Sequence, residues 1–251
     1  MYIMGKFIKL IVSLSIVLSL MSISTFAHAE EQSGNLEFLT VDRYKELQKE
    51  GVLGEDVTYE LAQKLFEAPQ ESEELGILYN LEELGILDNL EEVPVEDTNV
   101  MAAAASYRPG DIFISSKPGG GMVSWVHGHA GIIGSDGQII HMIQSGVKKE
   151  SVGNFLKHNK GTNAFRVPNS TVARNAGSWA SNYYNNWKGK AKYQINTAKY
   201  TQNEMYCSKL VWQAYWFGTG SAPVLKNPTF AILHPYGLTT QFNLSYQPKA
   251  I

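Results

Sequence analysis

One thiol and a small group of histidines carry the chemistry available to this sequence. Cys207, the single cysteine, stands in Tyr206-Cys207-Ser208-Lys209-Leu210-Val211-Trp212. Upstream, Val126-His127-Gly128-His129-Ala130-Gly131-Ile132 leads to Ile140-His141-Met142. A lone thiol cannot close an internal disulfide, so it is either a small buried hydrophobe or a nucleophile. A thiol with two well-placed imidazoles is the minimum kit of a cysteine hydrolase. One imidazole takes the thiol proton, and the thiolate attacks a carbonyl to form an acyl thioester.

Those residues need a hairpin and a helix to hold them. Trp125–Gly134 and Gln138–Ile143 read as strands joined at Ser135-Asp136-Gly137. A three-residue turn sets Gly131 opposite His141, diagonal to His129, with both imidazoles on one face about 7–8 Å apart at the backbone. A two-residue turn would put them on opposite faces. Gly131 leaves room for the His141 ring. Thr201-Gln202-Asn203-Glu204 fits a capping box, and Asn203 alone can also cap. Either choice starts a helix with Cys207 in its first two turns and Leu210, Val211 and Ala214 buried. The helix dipole and an imidazolium are expected to lower the thiol pKa from about 8.5, and helix-start amides to hold an oxyanion.

Other residues carry competing readings. His127 shares the face of His129 and is an alternative base. With His129 and His141 it could instead hold Zn²⁺ with an open fourth position, though only Asp136 in the turn supplies a carboxylate there. No metal and no cofactor are expected. Tyr206 and Trp125 are candidate substrate-binding residues, and Trp212 is a core residue. His158, His234, Lys209 and the Lys188-Gly189-Lys190-Ala191-Lys192 run read as solvated surface. Gly119-Gly120-Gly121 lacks the Lys-Ser/Thr of a phosphate loop.

Charge divides the chain. Residues 30–105 carry about −16 and residues 106–251 about +11, within an overall −3. The domains expected are a signal peptide over 1–29, an acidic pro-segment or arm over 30–105, and a catalytic domain over 106–251. Lys6 and Lys9, an apolar run and Ala27-His28-Ala29 mark the leader. A secreted or wall-associated protein, cleaved near Ala29, is the resulting expectation, without an integral membrane segment after the leader is removed. Helical patterns cover Val41–Leu47 and Thr58–Phe66, and a nine-residue repeat spans Glu73–Leu90. Docking of this acidic segment on the basic domain would restrain access to Cys207. Further strands are expected at Gly110–Ile114, Ala164–Val167, Phe230–Leu233 and Gln241–Tyr246. A helix capped at Asn169 or Ser170 carries Val172, Ala176, Trp179, Ala180, Tyr183 and Trp187 on one face. The class is α+β.

Gly110-Asp111-Ile112, His129-Ala130-Gly131-Ile132-Ile133 and Tyr206-Cys207-Ser208-Lys209-Leu210-Val211-Trp212 resemble the permuted papain-like amidases of the NlpC superfamily, the YaeF/YiiX-like group. The resemblance covers roughly Tyr107 to Leu244, including His234-Pro235-Tyr236-Gly237-Leu238. Lecithin:retinol acyltransferase-like proteins are relatives that share the twelve-residue spacing of His129 and His141. The resemblance implies a circularly permuted papain-like fold, an antiparallel sheet packed against a Cys-bearing helix. It further implies Cys207 as nucleophile, His129 as base and His141 as the orienting third residue, a place many YiiX-like members fill with an acidic one. An exported amidase or peptidase acting on wall peptides follows as the first reading, with a peptide or acyl substrate and no nucleic acid. A lipid acyltransferase or phospholipase of the lecithin:retinol type is the alternative, and a non-catalytic binder of anionic wall polymers is a third. Oligomeric state is unknown.

Overall fold

The computed structural model describes residues 39–67, 107–117, 128–220 and 223–251. The leader, the nine-residue repeat, Trp125 and His127 lie outside the described residues. Leu39–Ile251 forms one compact unit.

A six-stranded antiparallel sheet organises this unit. In chain order its strands are β1 (Ile112–Lys117), β2 (His129–Ile133), β3 (Ile139–Ile143), β4 (Gly146–Glu150), β5 (Lys160–Arg166) and, at the C-terminus, β8 (Lys249–Ala250). Their spatial order is β4-β3-β2-β1-β5-β8. The β2–β3 turn is the three-residue form, because Gly134 N–H donates to Gln138 O at 2.8 Å and Gly131 lies opposite His141. Gly137 takes φ +77°, and Asp136 Oδ1 accepts from Gln138 N–H at 3.2 Å, which fixes the turn. A Cβ at Gly131 would come within 3.1 Å of the Ile139 side chain, so the histidine's neighbour has to be small.

The helices are α1 (Val41–Lys49), α2 (Tyr59–Glu67), α3 (Val152–His158), α4 (Ser170–Trp187) and α5 (Cys207–Gly218). Asn169 caps α4 by accepting from Val172 N–H at 3.0 Å. Small residues on α4, Ala173, Ala176, Gly177 and Ala180, are buried with Tyr183, whereas Val172, Trp179 and Trp187 pack half-buried beside them. Helix α4 thereby approaches α5 and β2 closely. Cys207 through Tyr215 are all buried, so α5 is enclosed on every side until its last turn, where Phe217 is exposed.

Four sequence expectations change. The α5 start is not set by a capping box: Glu204–Met205 forms β7, which pairs in parallel with β6 (Lys192–Tyr193). Tyr206 is the residue before the helix and offers no side-chain cap, so Cys207 is its first residue. Residues 230–233 and 241–246 are not strands. Short 3-10 turns occupy 235–237, 239–241 and 244–246, and the closing strand is β8 instead. The strand expected at Ala164–Val167 runs over Lys160–Arg166, because Lys160 and Thr162 through Phe165 pair with β1 and Arg166 with Lys249 of β8.

Lys209 is the fourth change. It is 2% exposed rather than solvated. Its Nζ donates to Asn196 Oδ1 at 3.0 Å, Thr201 Oγ1 at 2.9 Å and Glu204 O at 2.8 Å. Burial pushes its ammonium down to about 8. Three oxygens replace the water that the charge has lost, and they fasten the loop before α5 to the helix. Lys209→Met should therefore strand three acceptors and cost roughly 2–4 kcal/mol. A urea midpoint equal to wild type would contradict this role.

The acidic helices belong to the same unit. Leu53 bridges Ile195 in parallel, Ile195 N–H donates to Val52 O at 2.9 Å, and Gly54 N–H donates to Ile195 O at 2.8 Å. Asp56 Oδ2 accepts from Thr197 N–H at 2.8 Å and from its hydroxyl at 2.5 Å. Val52, Leu53, Val57 and Ala62 are buried in the main core.

Candidate active site

His129, His141 and Glu150 form one buried chain of contacts. His129 Nε2 lies 2.7 Å from His141 Nδ1, and His141 Nε2 lies 2.9 Å from Glu150 Oε1. Strand register explains the alignment. Gly131 faces His141 and Ile139 faces Glu150, so the three side chains share one sheet face. Phe155 of α3 covers that face, stacking on His129 at 5.6 Å and meeting His141 edge-on at 5.2 Å. Lys148 Nζ holds the other carboxylate oxygen at 2.9 Å.

The proton positions follow from the charge at the end of the chain. The His141 and Lys148 contacts draw the Glu150 carboxyl down to about 2, so it is an anion that only accepts. His141 must then carry its proton on Nε2 and present Nδ1 as an acceptor. His129 consequently donates from Nε2, which leaves its Nδ1 lone pair bare. That nitrogen is buried and has no partner. Both rings rest neutral. Burial, then His141 and Lys148, press His129 far below its usual value. Burial outweighs the Glu150 bond at His141.

Cys207 meets the sheet at its end. The backbone N–H groups of Ala130 and Ser208 favour its thiolate. Ile133 N–H points to β1 through Asp111 O at 2.9 Å, so by alternation Ala130 N–H points towards β3. The β2–β3 ladder stops at Gly131–His141, which leaves the Ala130 N–H outside it. Cys207 shares the main core with Ala130, Ile132 and Ile140, the sheet face opposite the one that Phe155 covers, and no hydrogen bond joins it to His129. Contrary to the helix-dipole expectation, the thiol is raised, because burial exceeds the stabilisation from the amides. Iodoacetamide alkylation of Cys207 should accordingly show a midpoint above the ordinary thiol range of about 8.5. A midpoint below that range would contradict the neutral resting state.

An apolar cleft opens beside the sulfur. Tyr193, Ile195, Tyr206, Ile232, Leu233 and Leu65 of α2 line it with Cys207. His234 lines it too, half-buried and not the plain surface residue expected, with Nδ1 accepting from Tyr236 N–H at 3.3 Å. Tyr206 is oriented by its hydroxyl, which accepts from Leu233 N–H at 3.0 Å. The buried Tyr193 hydroxyl has no partner. Among the described residues no three His, Cys, Asp or Glu side chains cluster as metal ligands.

Sequence reading missed Glu150. Its signal was a second hairpin: Ile143 pairs with Gly146 around Gln144-Ser145, and that register carries Glu150 to the side of His141.

Residues 91–251 match the family described as "Lipoprotein N-acylation protein LnsA-like". The chain belongs to this family. The LnsA-like stretch contains Cys207, His129, His141 and Glu150, whereas α1 and α2 precede it. A Bacillus thuringiensis protein described as "Uncharacterized 30.3 kDa protein" is 33% identical over 156 residues, which is 57% of this chain and 56% of that relative. The match therefore spans little more than half of the relative's length. No solved structure matches. No helix among the described residues is long and apolar enough to cross a membrane. The family's description names lipoprotein N-acylation.

Proposed function

We propose that the chain is a cysteine acyltransferase that moves an acyl group through Cys207 to an amine of a lipoprotein. The observation that supports this reading is the Glu150–His141–His129 chain, whose unpartnered Nδ1 belongs to the residue next to Ala130, the strand residue nearest the thiol. The apolar cleft and the family's description support it. A circularly permuted papain-like fold is part of the proposal, since the His-bearing strand precedes the Cys-bearing helix. An exported location, from the leader over 1–29, fits a lipoprotein substrate.

The chemistry has two halves. As His129 closes on the sulfur, Nδ1 takes the thiol proton and the sulfur attacks the carbonyl of an acyl ester. A C–S bond forms, the C–O bond breaks, and His129 passes the proton to the departing alcohol. The lipoprotein amine then attacks the thioester. A C–N bond forms, the C–S bond breaks, and the amine proton returns through His129 to the thiolate. His141 and Glu150 stabilise the imidazolium in each half. The Cys207 and Ser208 amides and the unpaired Tyr193 hydroxyl are the donors for the oxyanion.

The test is direct. Incubation with a phospholipid ester should add an acyl mass to Cys207 that hydroxylamine removes, and a lipopeptide amine should then take up the acyl group as an amide. Release of amines from wall peptide, with no lipid-derived thioester, would replace this reading by the amidase. Inert Cys207 towards both would leave a binder.

A further inference from the structure

The acidic helices lie before the family-matched stretch, yet they reach the Cys207 cleft. Leu65 is the residue that does so, half-buried on α2 and facing the same cavity as Cys207, Tyr193, Ile195 and Ile232. Its position is enforced. The 52–57 segment adds to the chain at 195–197 through the Leu53–Ile195 bridge and the Asp56–Thr197 bonds. Tyr44 and Tyr59 then clamp α1 to α2: their rings meet edge-on at 5.4 Å, the Tyr44 hydroxyl donates to Val57 O at 2.7 Å, and the Tyr59 hydroxyl to Leu39 O at 2.6 Å. Ala62, one turn from Leu65, is fully buried. A segment attached merely by opposite charge would show ion pairs to the basic domain. Among the described residues the contacts that join it are instead backbone bonds, Asp56–Thr197, Gln194–Gly51 and apolar burial.

From this arrangement, and resting on the acyl-transfer reading above, we infer that residues 39–67 complete the acyl-binding site and that Leu65 limits the length of chain attached at Cys207. The ligand class is an unbranched aliphatic chain bonded through its first carbon to the sulfur. The lining suits it: Leu65, Ile195, Ile232 and Leu233 share the cavity with Cys207, Tyr193 and Tyr206, and its wall is mostly apolar. A half-buried leucine in such a wall is a gauge, because removing it opens space for methylenes and enlarging it closes that space.

The full chain should be reacted with alkyl methanethiosulfonates from methyl to dodecyl. The Cys207 thiolate attacks the sulfenyl sulfur, a disulfide forms and methanesulfinate departs, so no acyl donor is needed. The reading is the ratio of dodecyl to methyl labelling rates within each protein. Leu65→Ala should raise that ratio about tenfold and Leu65→Trp should lower it by a similar factor. Urea midpoints certify that both variants are folded. Equal acceleration of every chain length in Leu65→Ala would make α2 a gate and overturn the gauge, as would a ratio unchanged in either variant. Should the ratios move as expected while phospholipid leaves no thioester on Cys207, the chain site stands and the acyl-transfer reading falls.

Discussion

Cys207→Ser is expected to abolish thioester formation and amide transfer, by at least about 10³-fold, while leaving the fold within about 1 kcal/mol of wild type. The size of the effect comes from the resting protonation. His129 sits neutral and far below its ordinary pKa, so it can take a proton only from a group that gives one up readily. A thiol raised by burial still does so far more easily than an alcohol. The stability expectation rests on the amides of Ala130 and Ser208, which favour a polar atom at this position. Mass spectrometry of acyl adducts, beside a denaturation curve, makes the comparison. An active serine variant would end the thioester mechanism.

His129→Ala is the second large effect, a loss of about 10²–10⁴ in turnover. His141→Asn and Glu150→Gln should cost less, about 10–100-fold, because these residues set the tautomer and do not carry the proton to the reacting atoms. Glu150→Gln is the more telling of the two. A glutamine amide can donate to His141 Nε2, which lets the whole chain reverse and puts a proton on His129 Nδ1, where it blocks the base. The alkylation profile of Cys207 should change along with turnover, a response that a merely structural Glu150 would not produce. Turnover in His129→Ala equal to wild type would move the base to another residue, with His127 the next to replace.

The histidine hairpin was legible because its determinants are local. Ser135-Asp136-Gly137 marks the turn and leaves two registers, and the three-residue one, which the structure adopts, places His129 and His141 on one side. Glu150 belongs to the next hairpin, where Gln144-Ser145 is a weaker turn signal and alternating Lys148-Lys149-Glu150 reads as an exposed edge. The α5 start was misplaced because Thr201–Glu204 has the composition of a capping box, while Glu204 and Met205 are held extended by pairing with Lys192 and Tyr193. That pairing is a tertiary fact, invisible to any local window. Lys209 misled for a similar reason. Its type predicts solvent, and its burial depends on three oxygens contributed by residues 196–204. The thiol pKa was misjudged because the helix start is enclosed, and the sequence shows the dipole without the burial.

The attachment of residues 51–56 to 194–197 has a consequence in time. Gln194 Nε2 donates to Gly51 O across 143 positions of sequence. During synthesis at roughly 5–20 residues per second, the first helix pair waits on the order of ten seconds before its docking segment exists. Through that interval Leu53, Val57 and Ala62, all buried in the finished protein, have no surface to cover them. Such distant pairing also slows closure once the chain is whole, since the entropy of a long loop must be spent before any contact repays it. The cleft is therefore among the last parts to form, and a nascent chain holds its thiol without a working site until the end.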